Sequence, residues 1–415
     1  MREMKDSGVE WIGEIPVSWQ ILTIGSVFKV RNEKVNDTDY PPLSVAKGGV
    51  VPQMENVAKS DANDNRKMVL SNDFVINSRS DRKQSCGVSP MDGSVSLINT
   101  VLYPANGAPV IPAYLNYLLK NYGFAEEFYR WGHGIVADLW TTRWQEMKSI
   151  LLPIPSMGEQ QQILEAISEK TDKVDTLIAN VKAQIEKLKA YRQSVITEVV
   201  IKGLDPTVPM KDSGVEWIGE IPAAWDTVRV KQLLRERKER SAEGKEEPLS
   251  MSQKVGLVPT KTLDAIPNPA SSYVGAKLAF VNDLVFNKLK AHLGVFSVSK
   301  YDGLVSPDYA VYYSTGVVDL KYLEYLFKTP QCISEFSKRS TGIAAGLTRL
   351  YTDGLFAIEC PLPPEDEQQA IVSYLDEKWT QIDRLIAIKQ AKIEKLEQYK
   401  RSLIYEYVTG KKKVC

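Results

Sequence analysis

The segment MKDSGVEWIGEIPVSW at residues 4–19 returns almost unchanged as MKDSGVEWIGEIPAAW at residues 210–225. Fourteen of the 16 positions are identical, and the second copy begins 206 residues after the first (210 − 4). Such a repeat constrains the fold more than any other feature, because a duplicated sequence builds duplicated structural units. The repeat predicts that this chain of 415 residues is assembled twice from one plan.

A second repeated block closes each half of the chain. It opens with a proline pair, PIP at 153–155 and PLP at 361–363, at an offset of 208 residues (361 − 153). Glu159-Gln160 and Glu367-Gln368 follow at equivalent positions. A carboxylate in the first turn of a helix is favourable because it faces the positive end of the helix dipole. The block therefore predicts a helix start in each half.

Apolar residues then recur at intervals of three, four and seven positions, which is typical of a coiled-coil seam. About 40 residues at 1.5 Å each would form a rod of roughly 60 Å. Two rods of matching pattern pair most simply with each other, and they are antiparallel if a pseudo-twofold axis relates the halves. The alternative is that the rods serve only for dimerisation. The predicted seam residues are Val174, Ile178, Val181, Ile185, Leu188, Ile382, Ile386, Ile393, Leu396 and Leu403.

The stretches 20–150 and 226–360 contain strand-like runs, such as DFVINS and DYAVYYS, and shorter helical patterns. We therefore expect an α/β fold. It has two mixed α/β domains separated by two long antiparallel coiled-coil helices, with an internal pseudo-twofold repeat. The two stretches share the frame N-D-x-V-x-N, but their polar residues differ.

Basic and polar side chains next to turns are the candidates for DNA contact. Arginine and lysine can bond guanine or phosphate, whereas asparagine and glutamine suit adenine. For each residue alone, an exposed and merely solvated side chain is the alternative. The candidates are Arg79, Ser80, Arg82, Lys83, Gln84, Trp140, Arg143, Asn287, Lys288, Lys290, His292, Arg349 and Tyr351.

Two further basic runs are candidates for contact. One lies around Arg31 and Lys34, and the other is RERKER at residues 235–240. Because RERKER alternates in charge sign, we expect a solvated helix face there.

The composition excludes several classes of protein. With 52 basic and 52 acidic residues the net charge is zero, which argues against coating of nucleic acid but permits local basic faces. Neither a membrane-spanning apolar run nor a signal peptide is evident, so we expect a cytoplasmic protein. Four scattered cysteines and two histidines predict neither a disulfide framework nor a metal site.

Motifs of several enzyme classes are missing from the sequence. It contains no Walker A pattern, no G-x-G-x-x-G after a strand, no G-x-S-x-G elbow and no Asn/Asp-Pro-Pro-aromatic tetrapeptide. His133, between two glycines, could act as a general base, but a turn residue is the simpler interpretation. We expect a chain that binds rather than catalyses; an enzyme with an unrecognised site is the alternative.

The doubled MKDSGVEWIGEIP, the junction KGLDPTVPMKDSGVEWIGEIP, and the proline pairs followed by Glu-Gln and a long helix resemble one family. It is the family of specificity subunits of type I restriction–modification systems. The resemblance covers the whole chain, twice and in order. It implies target-recognition domains at 1–157 and 203–364 (with a linker at 203–209) and long spacer helices at 158–202 and 365–411.

The resemblance also implies a function. Each recognition domain would read one half of an asymmetric bipartite site in double-stranded DNA. The paired helices would set the spacing and dock two methyltransferase subunits, and helicase–nuclease subunits would join for restriction. S-adenosylmethionine, ATP and Mg would belong to those partners, with no cofactor and no catalytic or metal-binding residue in this chain.

Two alternatives remain open on the sequence. The chain could serve a methyltransferase-only complex, or it could be a coiled-coil assembly scaffold that does not bind DNA. In every case the tryptophans and isoleucines of the repeated opening motif are better suited to anchoring each domain on the helices than to contacting DNA.

Overall fold

The computed structural model describes residues 2–53, 65–79, 83–134, 140–253, 255–263, 272–342 and 348–414. The candidates Ser80 and Arg82 lie outside these ranges. The chain forms two compact units. The first unit comprises residues 1–182 and 390–415, and the second comprises residues 183–389.

The elements of the first half alternate short strands with short helices before one long helix. The strands are β1 (Met4–Asp6), β2 (Glu14–Pro16), β3 (Gln20–Thr23), β4 (Phe28–Arg31), β5 (Lys34–Val35), β6 (Leu43–Ala46), β7 (Gly49–Pro52), β8 (Arg66–Val69), β9 (Phe74–Asn77), β10 (Cys86–Val88), β11 (Gly93–Val95), β12 (Asn99–Pro104) and β13 (Leu151–Ile154). The helices are α1 (Ile24–Val27), α2 (Pro112–Lys120), α3 (Tyr122–Arg130), α4 (Trp144–Met147) and α5 (Met157–Lys202).

The second half follows the same order of elements. Its strands are β14 (Met210–Asp212), β15 (Glu220–Pro222), β16 (Asp226–Arg229), β17 (Leu234–Glu236), β18 (Leu249–Ser252), β19 (Gly256–Pro259), β20 (Lys277–Ala279), β21 (Leu284–Asn287), β22 (Phe296–Val298), β23 (Gly303–Val305), β24 (Tyr309–Ser314) and β25 (Glu359–Leu362). Its helices are α6 (Val230–Leu233), α7 (Leu320–Phe327), α8 (Pro330–Arg339), α9 (Thr352–Phe356) and α10 (Glu365–Val408), with 3-10 turns at Thr260–Thr262 and Ala291–Leu293.

Each unit is centred on a four-stranded antiparallel sheet. In the first unit the strand order is β10-β9-β12-β4, and in the second it is β22-β21-β24-β17 read in the same direction. The sheet and the helices behind it enclose the larger core of each unit, which includes Phe74 and Phe124 in the first and Phe286 and Phe336 in the second. The mixed α/β fold with two long helices, expected from the sequence, is confirmed.

The expectation for RERKER is wrong. Residues 234–236 form β17, which pairs with β24, and are therefore not helical. The Arg235 guanidinium donates to the carbonyl of Lys231 at 2.6 Å, and Arg240 donates to that of Gly275 at 2.8 Å. Charge alternation matches a strand edge as well as a helix face, so charge sign alone could not separate the two.

The long helices contribute to both units. Helix α5 has 46 residues and α10 has 44, or about 65–70 Å each at 1.5 Å per residue. In the second unit, Arg192 pairs with Asp383 at 2.7 Å and Lys389 donates to Gln184 at 2.6 Å. Gln184 and Arg192 follow each other along α5, whereas their partners Lys389 and Asp383 come in the reverse order along α10. The two helix segments therefore run in opposite directions there. In the first unit, Lys400 pairs with Asp175 at 2.6 Å.

The predicted seam residues differ in burial. Six of the ten are buried and four are half-buried. Buried are Val174, Ile178, Val181, Ile185, Ile382 and Leu403, and half-buried are Leu188, Ile386, Ile393 and Leu396. The seam itself stays a prediction.

The repeated opening motif forms a hairpin that sits on helix ends. Strands β1 and β2 pair Met4 with Pro16, and β14 and β15 pair Met210 with Pro222 in the same register. The indole N–H of Trp19 donates to Glu159 at 3.0 Å, and that of Trp225 donates to Glu367 at 2.8 Å. Both tryptophans are fully buried. The expectation that the tryptophans of the motif serve as anchors is confirmed for Trp19 and Trp225, and the repeated first-turn glutamates are explained.

A glycine follows the end of each long helix and lies against one of the two opening hairpins. Gly203 has φ +79° and Gly410 has φ +73°, in the left-handed region that favours glycine. A Cβ on Gly203 would lie 2.8 Å from Glu367 Oε1 and 3.3 Å from Trp225, and one on Gly410 would meet Pro16. The helix end and the hairpin therefore approach too closely for any side chain.

The repeated glutamine tightens the same region. Gln160 accepts from the amide of Ile111 at 2.8 Å and donates to the carbonyl of Pro109 at 2.7 Å. Gln368 likewise accepts from the amide of Asp319 at 2.7 Å. Each glutamine thus fixes the loop that leads into α2 or α7.

The three described cysteines, Cys86, Cys332 and Cys360, are buried free thiols. Burial raises the pKa of Cys86 and of Cys360 to about 12, so their thiolate forms are disfavoured at neutral pH. Within the described ranges, no helix combines the length and the apolar character that crossing a membrane requires.

The Trp225 indole gives a stability prediction. Trp225→Phe should lower the free energy of unfolding by about 1–3 kcal/mol, because the Glu367 carboxylate loses its indole donor. Trp217→Phe is the matched control: Trp217 is half-buried in the same motif and its indole has no hydrogen bond to a described residue. Its cost should stay within about 1 kcal/mol. Denaturant unfolding measures both, and equal costs would contradict the role of the hydrogen bond.

Candidate nucleic-acid interface

In the first unit, two segments that the sequence suggested separately lie side by side. Residues 78–79 follow β9, and residues 133–134 with 140–143 precede α4; together they are called the first loop pair. The amide of Thr142 donates to the carbonyl of Ser78 at 3.0 Å, and His133 and Thr141 exchange two backbone hydrogen bonds of 3.0 Å. The backbone of the first loop pair is therefore fixed at its base, and His133 is a turn residue of that base.

Two arginines of the first loop pair extend toward solvent. Arg79 and Arg143 are both exposed. Arg79 forms a backbone bridge with Thr141, and the amide of Arg143 donates to the Glu146 carboxylate at 3.1 Å. Their charged heads thus extend from an ordered backbone, which suits contact with phosphate or a base edge.

Trp140 braces the first loop pair. Its ring stacks on Tyr129 with centroids 5.6 Å apart, and its indole N–H donates to the carbonyl of Tyr129 at 2.9 Å. A Cβ on Gly132 would collide with this indole. The ring therefore packs on α3, and its predicted contact with DNA stays a prediction.

Lys83 and Gln84 are held by the helices behind the sheet. Lys83 Nζ lies 2.9 Å from Glu126 and 4.4 Å from the centre of the Tyr129 ring, and the hydrogen bond to Glu126 raises its pKa. Gln84, with φ +64°, donates to the carbonyl of Lys120 at 3.3 Å. Both side chains are thus engaged within the unit.

A polar cleft that sequence reasoning missed adjoins Arg79. Its volume is about 270 Å³, and Arg66, Asn77 and Asn99 contribute to its wall. Arg66 is buried, which lowers its pKa, and its guanidinium donates to the Ser94 hydroxyl at 2.8 Å. Asn99 Oδ1 is buried and has no hydrogen-bond partner among the described residues. Nothing in the sequence marks these positions, because they become neighbours only when β8 and β12 enter adjoining sheets.

The second unit has an equivalent second loop pair, residues 288–292 with 341–342 and 348–351. The amide of Leu350 donates to the carbonyl of Lys288 at 3.0 Å, and Thr341 and Arg349 exchange backbone hydrogen bonds of 3.0 and 2.8 Å. Arg349 also lies 3.5 Å from Asp308. The second loop pair thus places Lys288 and Arg349 together.

The other predicted residues surround the second loop pair. Asn287 Oδ1 accepts from the amide of Leu289 at 3.1 Å, and Lys290 is exposed. His292 lies in the 3-10 turn, where its Nδ1 is buried without a partner among the described residues. Tyr351 is exposed just before α9. For all of these, contact with DNA stays a prediction.

Arg31 is a framework residue and not part of a contact surface. Its guanidinium makes two bonds to the buried Asp73 carboxylate, of 2.7 and 3.1 Å, and Arg237 binds Asp283 in the same way at 2.6 and 2.8 Å. These aspartates belong to the repeated Asn-Asp frame, whose asparagines adopt left-handed φ angles of 72° and 68°. The frame is therefore a turn with a buried ion pair, and the interpretation of Arg31 as part of a basic contact run was wrong.

Two substitutions separate a framework arginine from an exposed one. Arg31→Met should lower the free energy of unfolding by about 3 kcal/mol, because Asp73 is left buried and unpaired. Arg79→Met should change it by less than about 0.5 kcal/mol, because Arg79 is exposed. Thermal and denaturant unfolding test both, and a stable Arg31→Met variant would contradict the framework assignment.

Comparison with known proteins finds two curated relatives whose names give the same kind of protein. No protein-family model matches the sequence. The chain is 24% identical, over 433 aligned positions, to a protein of Methanocaldococcus jannaschii with the provisional name of type I restriction enzyme MjaX specificity subunit; the match covers 97% of this chain and 96% of that protein. It is 25% identical over 283 positions to the type I restriction enzyme MjaVIII specificity subunit of the same organism, covering 64% of this chain and 63% of that protein.

A solved structure shares the fold. It comes from work on the structural basis underlying complex assembly and conformational transition of the type I R-M system. It matches this chain with a TM-score of 0.67 at 15% sequence identity. The match covers 95% of this chain and 98% of that chain. The resemblance of this chain to the specificity subunits of type I restriction–modification systems, expected from its repeated motifs, is thus confirmed by curated relatives with that name.

Proposed function

We propose that this chain is the DNA sequence-recognition subunit of a type I restriction–modification complex and is not itself catalytic. Each unit reads one half of an asymmetric bipartite site in double-stranded DNA, and the two loop pairs carry the contacts. The names of the curated relatives support this assignment. So do the exposed arginines on ordered turns in the first unit.

The observation that carries the proposal is a common backbone frame with different side chains on it. Ser78 and Lys288 each donate their amide to the residue before a central strand, Ile98 or Asp308, at 3.3 Å. Lys67 donates to the carbonyl of Asn99 at 2.7 Å, and Lys277 donates to that of Tyr309 at 2.6 Å. In the first unit this place holds Ser78, which is buried with its hydroxyl 2.8 Å from that of Thr100, whereas in the second unit it holds the half-buried Lys288 with its ammonium. The same frame therefore offers different side chains in the two units. Such a design suits two different short sequences, because base edges differ in their donors and acceptors.

The domain boundaries are also part of the proposal. Recognition domains at 1–157 and 203–364, spacer helices at 158–202 and 365–411, and a pseudo-twofold relation would place each domain between the start of one helix and the end of the other. The composition of the units supports this plan, since each contains parts of both α5 and α10. Domains one DNA turn apart, about 34 Å, would meet the major groove on one face of the duplex.

The helices would dock two methyltransferase subunits. Leu177 and Leu385, at equivalent positions, are 48% and 46% exposed, and Tyr191 and Tyr399 are 55% and 52% exposed. Exposed apolar groups that recur at equivalent positions suit two copies of one partner. S-adenosylmethionine would belong to those subunits, and ATP and Mg to a helicase–nuclease subunit that joins for restriction.

The DNA assignment is tested with the full chain and its methyltransferase partner. Affinity for a duplex that carries the site should fall at least 10-fold between about 50 and 200 mM salt, because lysine and arginine contacts release counterions. Sequencing of methylated bases in cells that express both proteins should show two different half-sites with a nonspecific gap. A continuous palindromic motif would refute the bipartite reading, and salt-independent or absent DNA binding would favour a protein scaffold.

Partner docking is tested on the exposed leucines. Leu177→Glu and Leu385→Glu should each reduce the stoichiometry from two methyltransferase subunits to one, and the double variant should bind none. Stability should change by less than about 0.5 kcal/mol, because both side chains are largely exposed. Ile185→Glu is the contrasting variant, since Ile185 is buried and its substitution should destabilise the chain. Native mass spectrometry reads the stoichiometry, and two bound subunits in the double variant would contradict this docking surface.

A further inference from the structure

Arg349 is held at both ends. Its backbone exchanges hydrogen bonds of 3.0 and 2.8 Å with Thr341, and the next residue, Leu350, is buried in the core of the second unit. The guanidinium lies 3.5 Å from the Asp308 carboxylate while 37% of the side chain stays exposed. A long side chain fixed in this way loses less conformational entropy when it binds a ligand.

The backbone of Asp308 is fixed by its surroundings. Its amide donates to the Ser306 hydroxyl at 3.3 Å, and its carbonyl accepts from the Lys288 amide at 3.3 Å. Lysine side chains bind the carbonyls on either side: Lys288 binds Pro307 at 3.4 Å, and Lys277 binds Tyr309 at 2.6 Å. The backbone that carries the Asp308 carboxylate is therefore fixed, and the carboxylate itself is 51% exposed beside the Arg349 guanidinium.

The charge of this pair favours a base edge over a phosphate. A phosphate brought to the Arg349 guanidinium would also approach the Asp308 carboxylate, and the two anions would repel each other. The O6 and N7 atoms of guanine are neutral acceptors that match the fork of an arginine. Asp308 can hold part of the guanidinium while the remaining N–H groups face outward.

The first unit lacks this arrangement at the equivalent places. Thr141 stands where Arg349 stands, since it makes the same exchange of backbone hydrogen bonds, with His133. Ile98 stands where Asp308 stands, before the central strand β12. The arginine–carboxylate pair is therefore an addition to the common frame and not part of it.

From this geometry we infer that Arg349 reads a guanine in the half-site bound by the second unit, with Asp308 as its positioning residue. The inference rests on the proposed function and adds to it a base and a residue. Loss of one such bidentate contact should cost about 10- to 100-fold in discrimination at a single base pair. The half-site bound by the first unit should keep its sequence preference.

The test selects bound duplexes from a randomised pool. The full chain with its methyltransferase partner is incubated with the pool, and the bound fraction is sequenced for wild type, Arg349→Ala, Arg349→Lys and Asp308→Asn. Both Arg349 variants should lose the preference for one guanine in one half-site. Asp308→Asn should weaken the same preference several-fold and leave every other position unchanged.

A matched control comes from an exposed pair outside the loop pairs. Arg229 lies 3.4 Å from Glu359 and is 68% exposed, so Arg229→Lys alters a similar ion pair and should leave all preferences unchanged. Unchanged preferences in the Arg349 variants would overturn the inference while the proposed function stands. A uniform loss of affinity with a salt slope lower by about one would also overturn it, because that is the signature of a phosphate contact. If wild type selects no sequence at all, the proposed function itself fails.

Discussion

The contact on which the rest of the fold depends is the buried tryptophan of each opening hairpin. Trp225 donates its indole N–H to Glu367 in the first turn of α10, and it packs in one core with Val199 and Val200 at the end of α5. Trp19 does the same with Glu159 and with the last residues of α10. One side chain thus joins the hairpin to the start of one helix and the end of the other. Because the next globular stretch follows directly from the hairpin, its position relative to the helices is set at this point.

This anchoring explains why the opening segment repeats almost letter for letter while the middle of each unit diverges. A buried indole with a carboxylate partner and a glycine at van der Waals distance tolerates few substitutions, because loss of a donor or of space destabilises a packed core. The loop pairs are under different constraints. Their backbones are fixed by main-chain hydrogen bonds, which any residue other than proline can make, so the side chains are free to differ.

Much of the fold could be predicted from the sequence, because its signals are local and occur twice. The two long helices follow from heptad spacing, and strands such as β9 and β24 follow from short apolar runs between turn residues. The role of Arg31 could not be predicted in the same way. A basic run looks alike whether its arginine binds a buried carboxylate or a phosphate, and the distinction needs the partner strand that brings Asp73 within 2.7 Å. The one usable signal was that an arginine precedes the Asn-Asp frame in both halves, Arg31 before Asp73 and Arg237 before Asp283, as a framework pair would.

In the candidate site, too, the residue types could be predicted from the sequence, but their surroundings could not. Arg79 and Arg349 were suggested by residue type alone, but their surroundings come from contacts between residues distant in sequence, such as Asp308 beside Arg349. The buried framework residues and the outward-facing side chains of the loop pairs are different residues, and this has a physical consequence for recognition. A substitution at Lys288 or Arg349 alters the donors that face outward, whereas the buried Arg237–Asp283 pair and the hairpin anchor stay intact. Under the proposed function, new base preferences could therefore arise in one unit at little cost in stability and independently of the other unit, because the buried frame and not the loop pairs carries the folding energy.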